Sequence, residues 1–360
     1  MSGAGLGDRS TGTACRAIPS PRPGRADPVK PPTPRGPVSA ATRQALLSDP
    51  QQEPFPEVRV PDHVENLLRD DDLQLALWML YEQSYRTFDD AHDHEWDPAA
   101  VAVRRSIELP FEEQLRNAVQ PMLAEVLRTG GDIGSQIEHA IGLVTGPDLS
   151  RFLHREATRE QMLDFLAQRS VYHLKESDPH SFVVGRVGGP AKVALAELQY
   201  DEFGAGRPDR LHSSMYAAGL QAAGLDPRFG AYIGRVPAST LAVNNVMSLF
   251  GLNHRLRGAA LGHLAAFEST SSVPCRRIAA GIERVGLPAE MAAYFHEHVE
   301  ADAVHEQVVL RDICGSFVES EPSQRAEVLF GALACLYLDS LAAEDLLVSW
   351  GDGVDGELAS

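Results

Sequence analysis

The segment HEHVEADAVHE, residues 296–306, has residue types and spacing suited to metal chemistry. On an α-helix, His298, Asp302 and His305 fall at i, i+4 and i+7, which stacks three side chains along one face over two turns. Two imidazoles with an intervening carboxylate are nitrogen and oxygen donors that suit iron, manganese or zinc. A solvated polar helix face is the plainer alternative. A second segment, LAELQYDEFGAGRPDRLHSSMY at 195–216, supplies Glu202, Asp209 and His212. Its GAGRP must interrupt the helix that Glu202 ends, and Pro208 suits the first position of the next one. Asp209 and His212, three apart, can then share a face and ligate one centre, although an acid in a first turn is favourable without a metal. Glu197 is expected to face solvent or pair with a base. A third segment, MSLFGLNHRLRGAALGHLAAFESTSSVP at 247–274, brings Glu268 into a stretch that reads as buried. A buried carboxylate needs a cation or a donor, so an ion pair with Arg276 or Arg277 and a metal-bridging role both satisfy it. His254 and His263 read as packed or hydrogen-bonded core histidines.

The elements that must position these side chains are helical. Asp70–Asp72 open a helix through LQLALWMLYEQSYRTF. Residues 101–129 read as one long or two shorter helices jointed at Pro110 and Pro121, and 132–145, 157–176, 191–203, 208–223, 238–270, 288–319 and 323–347 complete the set. Gly258, Ala259, Ala260 and Gly262 allow close helix packing. Strand signals are few and short, so the fold class is all-α, a helical bundle. VVGRVGGP lacks the Gly-Lys-Ser/Thr ending of a phosphate loop, and His92-Asp93-His94-Glu95 reads as a polar loop.

Of 360 residues, 44% are apolar, and 32 Lys/Arg against 50 Asp/Glu give a net charge of −18. That balance argues against nucleic-acid binding and against a polybasic membrane surface. No run of about 18 apolar residues suggests a membrane span, and no signal-peptide pattern opens the chain, so a cytoplasmic protein is expected. Cys15, Cys275, Cys314 and Cys335 form no CxxC pair and read as reduced thiols. Eleven of the 24 prolines lie in residues 1–60. Residues 1–55 are therefore expected to be a disordered Pro/Arg-rich tail. The helical domain would span 56–350, with auxiliary helices at 70–176, a metal-binding core at 190–350 and a flexible C-terminus at 351–360.

Taken together, DEFGAGRPDRLH, HRLRGAALGHLAAFE and HVEADAVH resemble the heme-oxygenase-like diiron oxidase and oxygenase superfamily, often labelled iron-containing redox enzymes. The order is a carboxylate with a histidine, a lone glutamate 56 residues after His212, and His-x3-Asp-x2-His opening 30 residues later. The resemblance covers roughly 70–350 and is densest over 195–350. It implies a seven-helix, heme-oxygenase-like bundle that binds two Fe2+ ions and activates O2 as co-substrate. Its implied ligands are Glu202, His212, Glu268, His298, Asp302 and His305, with Glu268 bridging or lying between the metals. N-oxygenases of the family use an extra carboxylate, and Asp209 and Glu176 occupy places for that role. Glu202, Asp209, Glu268 and Asp302 would then balance the four positive charges of the two ions.

The implied activity is oxidation of a small amine-containing or amino-acid-like metabolite by N-oxygenation, hydroxylation, desaturation or C–C cleavage, with N-oxygenation favoured. An external electron donor and a homodimer are compatible with it. Two competing readings are a heme-binding or heme oxygenase protein on the same fold, and a non-enzymatic helical partner-binding module. The acid-rich donor set speaks against the first, because several carboxylates have no job beside a porphyrin, and the second leaves that donor set unexplained.

Overall fold

Acidic and hydroxyl side chains start many of the helices. Asp70, Asp97, Asp132, Asp148 and Thr158 each accept a hydrogen bond from a backbone N–H two or three residues on. The computed structural model describes residues 30–351 except 53, 86, 87 and 90, and at 300–304 it describes the backbone alone. Along the chain come α1 (Pro37–Leu47), α2 (Asp71–Glu82), α3 (Pro98–Thr129), α4 (Ile133–Leu143), α5 (Leu149–Arg155), α6 (Arg159–His173) and α7 (Asp178–Val184). They are followed by α8 (Gly189–Glu202), α9 (His212–Ala222), α10 (Ala238–Leu252), α11 (Arg257–Arg284) and α12 (Ala289–Gln307). A π-helical segment, Val308–Gly315, continues α12 and leads to α13 (Ser316–Ser320) and α14 (Arg325–Ser349). No strand occurs among the described residues.

α3 is one helix with Pro110 and Pro121 inside it. Val103, Ile107, Phe111, Leu115, Val119 and Val126 keep a single buried face through both prolines. Pro121 is exposed, so the backbone hydrogen bond it forfeits lies on the solvent side.

Two apolar cores divide the interior. One joins α1 to α4, α8, α10, α11 as far as Ala266 and α14 as far as Ala342. The other joins α5, α6, α9, α11 from Cys275, α12 and the end of α14 from Ala343. α11 and α14 run through both and cross closely: a Cβ on Gly262 would lie 1.7 Å from the Val328 carbonyl oxygen, and one on Gly331 would lie 1.9 Å from that of Ala259. Glu268 sits on α11 between the two cores.

Two expectations change here. The stretch expected to be disordered through residue 55 contains α1, which buries Val38, Ala45 and Leu46 against the first core. Asp72 accepts hydrogen bonds from the Val38 and Ser39 N–H groups at 2.9 and 2.6 Å. VSAATRQALL carries apolar residues at helical spacing, which the proline-rich flank before it lacks. Residues 1–29 and 352–360, including Cys15, lie outside the described residues. The second change concerns hydropathy: Pro322–Ser349 is long and apolar enough to cross a membrane, yet 67% of its most apolar window is buried inside the bundle. Cys275, Cys314 and Cys335 are free and buried.

Candidate metal centre

The centre is assembled from four helices and one turn. α8 ends at Glu202, and Gly204, Ala205 and Gly206 follow with φ of +77°, +51° and +78°. This run of left-handed residues reverses the chain, and a Cβ at Gly204 would lie 2.4 Å from the Arg207 carbonyl oxygen. α9 then opens at His212, whose Nδ1 lies 3.0 Å from Glu202 Oε2. The Ser177 hydroxyl donates to the same oxygen at 2.9 Å. Glu176 comes from the turn after α6, Glu268 from the middle of α11, and His298 and His305 from α12.

Donor atoms of Glu176, Glu202, His212 and His298 all lie within 4.8 Å of one another, and those of Glu202, Glu268 and His305 do likewise. All six side chains are buried. The two groups share Glu202, whereas Glu268, expected to bridge or lie between the metals, occurs in one of them. The reason is positional: Glu202 projects from the end of α8 between His212 and His305, whereas Glu268 meets His305 at 3.3 Å. The i, i+7 pair on α12 also divides, with His298 in one group and His305 in the other. A rise of about 10 Å over seven residues gives each histidine its own neighbourhood.

Asp209 does not join. Pro208–Arg210 form a separate short 3-10 turn, so Asp209 and His212 are out of helical phase. The Asp209 side chain is exposed and bonded to Arg207 at 3.0 Å, which holds its carboxyl below the usual range. Asp302 lies on the α12 backbone between the two histidines, but its side chain is outside the described residues. His254 and Glu197 are exposed, His263 is buried, Arg276 is exposed, and Arg277 pairs with Asp148 at 2.8 Å. His94, from the polar loop, is buried with Nε2 3.0 Å from the Ser48 carbonyl oxygen.

Neighbouring groups set the charge states. Burial opposes charge on His298, but the Glu176 carboxylate 3.4 Å away outweighs it and pushes the imidazole up to about 10. Burial likewise opposes charge on Glu176 and Glu202, yet facing imidazoles hold both carboxyls below the usual range. His298 Nδ1–H donates to the Tyr294 carbonyl at 2.9 Å, leaving Nε2 to face the carboxylates. The Tyr294 hydroxyl donates to Glu176 Oε2 at 2.7 Å and lies 2.6 Å from His173 Nδ1. A hydroxyl has one proton, so His173 must donate to it in turn. Sequence reasoning passed over Ser177, His173, Tyr294 and Asp201, whose Oδ2 lies 3.6 Å from His305 Nε2. Of these, Tyr294 had a signal: it stands four residues before His298 and so shares its helix face.

Residues 163–340 match the family described as iron-containing redox enzyme. Those residues belong to that family. Among curated proteins, this iron-containing redox enzyme is similar to the nitrosourea synthase of Streptomyces achromogenes subsp. streptozoticus, 29% identical over 156 residues. The alignment covers 43% of this chain, and the chain spans about a third of the length of that relative, 33%.

The donor set suits the metal in the family's description. Three carboxylates and three imidazoles are oxygen and nitrogen ligands of the kind iron takes. His212 Nδ1 and His298 Nε2 are buried without a hydrogen bond of acceptable geometry, although each faces a carboxylate oxygen. A cation between such atoms satisfies all of them together.

Proposed function

We propose that this iron-dependent redox enzyme is a non-heme diiron oxygenase that uses O2 to oxidise a small amine-containing or amino-acid-like substrate, by N-oxygenation. The observation that carries the reading is the pair of buried donor groups joined at Glu202. Glu176, Glu202, His212 and His298 would hold one ion. Glu202, Glu268 and His305 would hold the other, with Asp302 added by resemblance. Bound ferrous iron would supply the electrons that activate O2. In the overall change, one oxygen atom enters a substrate N–H bond and the other leaves as water, taking up two electrons and two protons, so repeated turnover needs an external donor. The protein's own part is positional. Tyr294 and His173 orient Glu176, Ser177 orients Glu202, and the Tyr294 carbonyl fixes the tautomer of His298. The extra carboxylate Glu176 and the similarity to a nitrosourea synthase support N-oxygenation over the other outcomes. The buried free thiols support a reducing compartment.

Anaerobic titration of the full chain with Fe2+ tests the reading. About two ions should bind per chain, as a two-metal site requires, and the loaded protein should consume O2 when amine substrates are offered. A chain that is folded yet binds no iron would overturn it. Heme should cause no Soret shift.

A further inference from the structure

We propose that Arg169 and Asp339 bind the carboxylate and ammonium groups of an α-amino acid, whose side chain then extends toward the metal cluster. This deepens the diiron reading and rests on it. A partly open cavity of about 230 Å³ lies between α6, α11 and α14, a little below the roughly 300–1,000 Å³ of common small-molecule sites. Its walls include Phe165, Tyr172, Val243, Phe267, Ile278 and Phe295.

At one end stands the pair Arg169 and Asp339, 2.5 Å apart. The same two residues border a surface groove at Val144–Ser150, so they stand at the doorway between solvent and cavity. The Arg169 side chain is only 19% exposed. A guanidinium has five N–H donors, and among the described residues its one hydrogen bond goes to Asp339 Oδ1. Its other donors match the two oxygens of a carboxylate. Asp339, with 52% of its side chain exposed, offers its second oxygen to an ammonium.

The cavity approaches the cluster through its wall residue His173, whose Nδ1 lies 3.4 Å from Glu176 Oε1. Tyr172 packs on His173 and Phe267, with ring centroids 4.9 and 5.1 Å apart. His173 reaches Glu176 through Tyr294, and Phe267 directly precedes Glu268. An independent feature of the wall also points to a ligand. His263 is buried, held neutral by burial, and its Nδ1 has no hydrogen-bond partner. It is placed to meet a polar atom on the amino-acid side chain.

Another cavity, about 470 Å³, borders His212 and His305 directly and is lined mainly by charged residues at the surface. Its Arg207 and Arg210 are exposed and already paired with Asp209 and Glu297. It suits passage of solvent and ions better than enclosure of a substrate. With the head groups held at the doorway, oxidation falls on an N–H carried by the side chain and the α-amine is spared.

Calorimetry on the iron-loaded full chain tests this with L-phenylalanine, 3-phenylpropanoate and 2-phenylethylamine as probes. The amino acid should bind at least about tenfold more tightly than either one-charge analogue, since each analogue leaves one partner of the doorway pair unmatched. Arg169→Gln should weaken the amino acid and the propanoate at least about tenfold and leave the amine unchanged, with iron per chain unaltered. The analogue ranking on the unaltered chain decides the matter if that variant does not fold. Absence of amino-acid binding by iron-loaded protein, equal binding of all three probes, or wild-type affinity in the variant would overturn the proposal. Failure to take up iron would instead overturn the diiron reading.

Discussion

The bundle buries carboxylates in two ways. On α3, Glu112 receives Arg116 and Arg255 at 2.9 and 2.8 Å, and Arg104 and Arg105 reach Glu108. Glu82 is paired in the interior with Lys175, whose ammonium also lies 3.9 Å from the Tyr85 ring. At the centre, Glu176 and Glu202 meet imidazoles and hydroxyls, and none of the arginine or lysine ion pairs described involves them. Lys175 adjoins Glu176 in sequence but turns to Glu82. The contrast teaches that acids with permanent counter-charges serve stability, whereas acids facing only titratable or neutral donors are arranged for a cation that is not part of the chain.

Removing the shared carboxylate should break the contrast most severely. Glu202→Ala deletes the carboxylate common to both groups, so iron uptake should fall at both and turnover should drop by more than the roughly 10–100-fold seen for outer-shell changes. Metal analysis and O2 consumption measure this, and retention of full iron loading would contradict it. The reverse variant attacks the compensated side. Lys175→Met removes the ammonium from buried Glu82 and should cost about 3–5 kcal/mol in denaturant unfolding. Iron content per folded chain should not change.

How far the sequence foretold this contrast depends on the residue. The i, i+7 spacing of His298 and His305 was legible, because helical periodicity fixes a face. Their separation into two groups was not, because periodicity says nothing about which other helices arrive at each level. Asp209 misled because Pro208 opened a short 3-10 turn and α9 began four residues later, which changed the phase. Glu176 and Ser177 lie in a turn, where no repeat marks an inward direction. The apolar pattern from 238 to 347 read directly as helices, whereas α1 was hidden by the proline-rich composition around it.

Acidity offers a finer test. In metal-free protein the folded-state value of His298 is pushed up from about 6.5 to about 10. Its pairing with Glu176 therefore contributes stability that is fully present below about pH 6.5 and is lost as pH rises through about 10. Thermal unfolding of the metal-free chain should show a decline across that window. Iron must displace the proton on His298, so the decline should shrink in loaded protein; identical pH profiles for the two forms would argue against His298 as a ligand. The smallest effect is expected at Asp209. Asp209→Asn alters an exposed group outside both donor sets and should move stability by no more than about 0.5 kcal/mol, with iron uptake unchanged.

The crossing of α11 and α14 at Gly262 and Gly331 has a consequence for the chemistry. With main chain against main chain, neither helix can slide by a residue without a collision, and such a slip would carry Glu268 about 1.5 Å along its axis. Glu268 lies six residues beyond Gly262, so two hydrogen-only side chains act as a ruler for the depth of an acid they never touch. Drift in that ruler would detune the reaction long before it unfolded the chain.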